Sequence, residues 1–86
     1  MGKHEKTLHA ILCGKADAGI RFADIVSLLR YLAFEMRIRG DHHIFFRRGI
    51  DEILNLQPKG AMAKAYQVKQ IRDILVKYHL GVDDHE

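Results

Sequence analysis

The residues with the most chemical promise sit together in one stretch, Arg37-Ile38-Arg39-Gly40-Asp41-His42-His43-Ile44-Phe45. An imidazole titrates near neutral pH, so it can take a proton from one oxygen and return it to another. Arginine brings a planar, permanently charged fork that matches phosphate oxygens. RNA carries its own nucleophile, the 2′-hydroxyl. A histidine beside arginines therefore offers what metal-free phosphodiester cleavage needs: a group that moves the proton and cations that hold the charged phosphate. Taken alone the signal is thin, because a lone histidine in a strand is more often structural or merely exposed and meets none of the geometric tests of a site. Side chains alternate along a strand, so His42 and His43 face opposite sides. His42 goes with Ile44 and Phe46, His43 with Phe45 and Arg47. Both sets are partly apolar, and periodicity leaves open which histidine meets solvent. Arg37 and Arg39 share parity and should project to one face, where they would grip phosphate.

Other chemistries have weaker support. His4 and His9 are five apart, not the four that stacks metal ligands on a helix face. No second group of His, Cys, Asp or Glu has ligand spacing, so neither a metal nor another cofactor is expected. There is no Gly-Lys-Ser/Thr phosphate loop. Cys13 is the only cysteine, which excludes an internal disulfide and a cysteine-based zinc site within one chain. It reads as a small apolar filler and fits a reducing, cytoplasmic setting.

The elements that must position the central stretch can be read from periodicity. A first helix is expected over 3–12, with Leu8, Ile11 and Leu12 on one face and Gly14 as a stop. A second carries Phe22, Ile25, Val26, Leu29, Leu32 and Ala33 on a core-facing stripe. From Phe34 the period becomes two: Phe34, Met36 and Ile38 alternate with Glu35, Arg37 and Arg39, the pattern of a half-buried strand. Gly40-Asp41 signals a turn, 42–47 a second strand and 52–56 a third, ended by Gln57-Pro58-Lys59-Gly60. A last helix is expected over 63–78, with Val68, Ile71, Leu75 and Tyr78 inward and Gly81 as its terminator. Short connections favour an antiparallel meander. The expectation is an α+β fold, α-α-β-β-β-α, with the helices packed on one face of a three-stranded antiparallel sheet.

At 86 residues the chain has room for one domain. No apolar run approaches the roughly 18 residues of a membrane span, and the N-terminus lacks the pattern of a secretion signal. Residues 21–80 hold eleven Lys/Arg against six Asp/Glu, while Asp83, Asp84 and Glu86 make an acidic tail at 81–86. A basic body suits a polyanionic partner, although a solvated basic surface produces the same balance.

The segments FADIVSLLRYLAFE, RIRGDHHIFF, ILNLQPKG and AYQVKQIRDILVKYHL, in this order over about residues 20–80, resemble the HicA (YcfA-like) toxins of prokaryotic type II toxin–antitoxin modules. The family is marked by Gly, a small polar residue and His ahead of an apolar strand, here Gly40-Asp41-His42-His43-Ile44-Phe45. The resemblance implies a double-stranded-RNA-binding-like fold, cleavage of messenger RNA as an mRNA interferase, and neutralisation by a HicB-like antitoxin. It also implies that His42, the first histidine after the glycine turn, is catalytic, with Gly40, Asp41 and His43 as modulators beside it. By the same likeness, Lys59, Gly60 and Lys64 at the start of the last helix would meet phosphate; a solvated helix start is an equal alternative. The chain departs from the family in three places. Asp41 stands where serine is commonest, and a carboxylate there would favour the imidazolium yet repel phosphate. The helix over 3–12 is additional, and the loop Gln57-Pro58-Lys59-Gly60 is longer. Two other readings suit the same features: a non-catalytic RNA-binding module, or a protein-interaction domain that uses its open sheet face or edge.

Overall fold

A computed structural model describes residues 2–81, so the acidic tail beyond Gly81 lies outside the described residues. The elements are α1 (Lys3–Cys13), a single 3-10 turn (Asp17–Gly19), α2 (Phe22–Tyr31), β1 (Glu35–Arg39), β2 (His42–Phe46), β3 (Leu54–Leu56) and α3 (Ala65–Lys77). The succession α-α-β-β-β-α and the antiparallel meander β1-β2-β3 are those expected from the periodicity. Met36 lies opposite Phe45, and Phe45 opposite Leu54. Alternation sends Phe45, Leu54 and Leu56 into a core shared with Ile25, Leu28 and Leu29 of α2 and Val68, Ile71 and Leu75 of α3. The helices cover this face of the sheet only; the other face carries Arg37, Arg39 and Asn55 in the open.

Both core helices end differently from the expectation. α2 stops at Tyr31. Ala33 adopts φ 70°, with Phe34 N–H donating to the Leu29 carbonyl at 2.9 Å and Ala33 N–H to that of Arg30 at 3.0 Å. This is the hydrogen-bond pattern of a glycine-terminated helix, built on alanine. Ala33 is consequently exposed, while Leu28, which lay outside the expected stripe, is buried. α3 ends the same way at His79, φ 56°, with Leu80 N–H donating to the Leu75 carbonyl at 2.9 Å. The terminator is therefore His79 rather than Gly81. Gly81 answers a different need, since a Cβ there would come within 2.8 Å of Leu8 Cδ2. β3 is shorter than the 52–56 span: pairing ends at Phe45–Leu54. Glu52 instead accepts hydrogen bonds from Lys77 Nζ at 2.7 Å and Tyr78 OH at 2.5 Å, tying the approach to β3 to the end of α3.

The N-terminal helix is part of the domain. Glu5 Oε1 accepts from the Gly2 backbone N–H at 2.8 Å and caps the first turn. Ile11 is wholly buried, whereas Cys13 is exposed and fills no part of the core. Arg72 of α3 donates to the Ile11 carbonyl at 3.0 Å and, through its two terminal nitrogens, to both Asp17 carboxylate oxygens at 2.9 and 3.1 Å. One guanidinium thus joins the end of α1, the 3-10 turn and α3. Among the described residues no helix is long and apolar enough to cross a membrane.

Two outcomes follow. Ile11→Ala should cost about 2–5 kcal/mol of unfolding free energy in urea denaturation, as for a fully buried isoleucine; a loss within a few tenths would show α1 to be an appendage. The Glu52 carboxyl is held down from 4.5 to about 2, first by Lys77 and then by Tyr78. A group with a depressed folded value stabilises above its unfolded value and loses that contribution as pH falls through the folded one. The stability gap between wild type and Glu52→Gln should therefore be full above pH 4.5 and shrink as pH falls towards about 2. A gap independent of pH would contradict the charge-assisted tether.

Candidate functional site

The turn Gly40-Asp41 joins β1 to β2, and Gly40 sits at φ 61°, where a side chain would be strained. The tight hairpin sets Arg39 opposite His42 and Arg37 opposite Ile44. Paired residues share a face, so His42, Arg39 and Arg37 all stand on the open side of the sheet. The His42 side chain is 48% exposed. His43 faces the other way, its ring set nearly perpendicular to that of Phe22 with 4.9 Å between ring centres and its Nδ1–H donating to the Asp41 carbonyl at 3.3 Å. The parity question left by the sequence is resolved by Phe45, whose burial turns His43 inward and His42 outward.

Three groups surround the His42 ring. Nδ1 lies 3.0 Å from Oδ1 of Asn55 on β3. Nε2 lies 4.0 Å from Asp41 Oδ1. Arg39 lies across the strand pair. Asp41 is itself held, its Oδ2 accepting from Gln57 Nε2 at 2.8 Å. That bond, ahead of a backbone hydrogen bond and the nearby charges of His42 and Lys64, keeps its carboxyl below the ordinary value of 3.8. Lys64 Nζ donates to Gln57 Oε1 at 3.2 Å, so a hydrogen-bonded line runs from Lys64 through Gln57 to Asp41. Gln67 is nearly buried on α3 and closes the arrangement from behind. Its Oε1 accepts from the Gln57 backbone N–H at 3.1 Å, and its Nε2 donates to the Asn55 carbonyl at 3.4 Å.

The expected phosphate-binding residues fall into two groups. Arg37 and Arg39 border a shallow hollow on the open face with Ile44, Phe46 and Ile53, the Arg37 guanidinium lying 5.8 Å from the Phe46 ring centre. Lys59 and Lys64 line a separate cleft of about 1060 Å³ at the start of α3, with Gln57, Pro58, Met62 and Tyr66. Gln57 lines this cleft and also donates to Asp41, beside the His42 ring. Among the described residues Lys59 makes only backbone hydrogen bonds, to Met62. Asn55, Gln57 and Gln67 escaped the sequence reading. One signal was available: Gln67 stands one turn before Ile71 on the buried stripe of α3, where an amide must find partners. Among the described residues no group of three His, Cys, Asp or Glu could hold a metal ion.

Chemically, the arrangement offers an accessible imidazole with one nitrogen engaged, cations across the strand, and a carboxylate near the second nitrogen. Comparison of the chain with family models, with curated proteins and with solved structures finds no match.

The Gln57–Asp41 bond can be read directly. In Gln57→Ala the Asp41 carboxylate loses its main donor, so its titration in carboxyl-carbon NMR should move up towards 3.8. An unmoved titration would mean that the bond is not made in solution.

Proposed function

We propose that this protein is a toxin of the HicA type: an endoribonuclease, or mRNA interferase, that cleaves messenger RNA and halts translation, with His42 as general acid and base. The observation that carries this reading is a half-exposed imidazole directly across a strand pair from Arg39, on a sheet face that no helix covers among the described residues. The order of α2, the three strands and α3 around Gly40-Asp41-His42 is also the one the sequence resemblance implies.

The reaction needs only groups that the chain supplies. His42 takes the proton of the 2′-hydroxyl as that oxygen bonds to phosphorus. The P–O5′ bond breaks, and the imidazolium returns the proton to the departing 5′-oxygen. One strand ends in a 2′,3′-cyclic phosphate and the other in a 5′-hydroxyl, with no water consumed and no metal required. Arg39, with Arg37 beyond it, neutralises the charge that gathers on the phosphate oxygens. Lys59 and Lys64 would hold neighbouring phosphates of the same strand along the cleft.

A HicB-like antitoxin is the partner that goes with this reading, and the open face suits it. Ile53 is 66% exposed beside Arg37 and Arg39, so a partner with an apolar and acidic surface would cover the arginines and His42 together. Messenger RNA as substrate and a lone thiol both fit a cytoplasmic setting.

Purified wild-type protein should cleave RNA in the presence of a metal chelator and leave cyclic-phosphate ends. A substrate with a 2′-deoxy nucleotide at the scissile position should resist. His42→Ala should lower cleavage by about 10²–10⁴-fold and abolish growth arrest in cells, with the fold unchanged by circular dichroism. Salt-sensitive RNA binding without cleavage would favour the non-catalytic RNA-binding reading. No RNA affinity at all, with tight capture of an adjacent-gene protein, would favour a pure interaction module.

A further inference from the structure

We propose that Asn55 is a positioning residue for His42: it holds the ring in the Nδ1–H tautomer and leaves the Nε2 lone pair facing the substrate. The catalytic consequence rests on the ribonuclease reading; the tautomer itself does not. Asn55 Oδ1 stands 3.0 Å from His42 Nδ1. An amide oxygen only accepts, so the proton at this contact sits on Nδ1. A neutral imidazole has one ring proton, and Nε2 is therefore bare. Asp41 Oδ1, at 4.0 Å, is beyond hydrogen-bond reach of Nε2. Among the described residues Nε2 has no hydrogen-bond partner, and the side chain is 48% exposed.

Register explains why Asn55 can do this. It pairs with Ile44, two residues along β2 from His42, and so stands on the same face at the diagonal spacing that lets side chains meet. Its backbone is fixed from behind, because its carbonyl accepts from the buried Gln67. The residue type matters as well. A neutral amide fixes the tautomer without adding a second carboxylate beside the position where phosphate must bind. When Nε2 takes up a proton, Nδ1–H keeps its acceptor, and the new charge meets the Asp41 carboxylate already in place. The ring changes charge without having to turn, which is the advantage of a preorganised base.

The test is nitrogen NMR of the histidine rings in the full chain, without RNA, above the imidazole titration. Wild type should show His42 protonated at Nδ1. Asn55→Ala should shift it to the Nε2–H form that free imidazole side chains favour, and Asn55→Asp, which keeps an acceptor, should retain Nδ1–H. In cleavage assays Asn55→Ala should lose roughly tenfold or more in kcat with little change in KM. Asn55→Asp should recover kcat while its added charge raises KM. An Nε2–H ring in the wild type, or an Nδ1–H ring that persists in Asn55→Ala, would overturn the proposal. So would a tautomer shift that leaves kcat unchanged. Tautomers that behave as stated in a protein that cleaves no RNA would instead sink the ribonuclease reading and leave the positioning role intact.

Discussion

The burial of Phe45 is the constraint on which the site depends. Phe45 lies at the centre of the sheet, fully enclosed between Met36 on one side and Leu54 on the other, beneath the helices. Enclosing such a side chain contributes about 1.5–3 kcal/mol, a large share of the margin of so small a domain. Because strand side chains have a strict period of two, fixing Phe45 fixes its whole strand. His43 must turn towards the core, and His42, Ile44 and Phe46 must face away. A slip of one residue would drive His42 and Ile44 inward and expose Phe45, reversing both the packing and the chemistry. Stability and the exposure of His42 are thus specified by the same residue, although Phe45 stands on the opposite face from that ring.

Around the ring, the polar groups orient more than they stabilise. Hydrogen bonds to exposed partners contribute about 0.5–1.5 kcal/mol each, too little to hold a fold but enough to select one rotamer and one protonation pattern. Two supports reach His42 from different elements. Asn55 comes from β3, and Asp41 comes from the hairpin turn, steadied by Gln57 and Lys64. Both trace back to Gln67, which accepts from the Gln57 backbone and donates to the Asn55 carbonyl. A polar side chain on the buried stripe of α3 is costly unless satisfied, and here its amide takes the place of a further strand at the edge of β3. The arrangement couples the start of α3 to the histidine through a short series of direct bonds.

How much of this could be read in advance differs from residue to residue. The helices and the first two strands were legible because each is long enough for its period to show: Met36, Ile38 and their polar neighbours alternate, and Val68, Ile71 and Leu75 recur at helical spacing, whereas the three residues of β3 are too few to fix its start. The grouping of Arg37, Arg39 and His42 on one face was legible in part, since parity joins the two arginines but not the correct histidine to them. That choice needed knowledge that Phe45, and neither Ile44 nor Phe46, is the residue of this strand that the helices bury. The helix stops were misread because Ala33 and His79 adopt left-handed conformations without being glycine. The hydrogen bonds closed by Phe34 and Leu80 just beyond them outweigh a local preference of about 1–2 kcal/mol. Asn55 and Gln57 were invisible for another reason: their roles exist only once β3 is registered on β2 and α3 is laid against its end.

The segment that has no counterpart in the family resemblance, α1, bears on the site by the same logic of enclosure. A domain of this size buries a modest fraction of its surface, and each element that adds apolar contact raises a thin margin. Ile11 enters the core fully, with Leu8 and Leu12 packed beside it. Arg72 then fixes the end of α1 to α3 through the Ile11 carbonyl and Asp17. α3 is the helix that carries Gln67 and is led in by Lys64, the two residues that hold Gln57. A continuous set of contacts thus runs from α1 through Arg72 and α3 to Gln57 and Asn55, the residues that hold Asp41 and His42. The N-terminal helix is held to α3 by a buried isoleucine and by the Ile11 carbonyl that Arg72 engages, with the bidentate Arg72–Asp17 pair fastening the turn just beyond it.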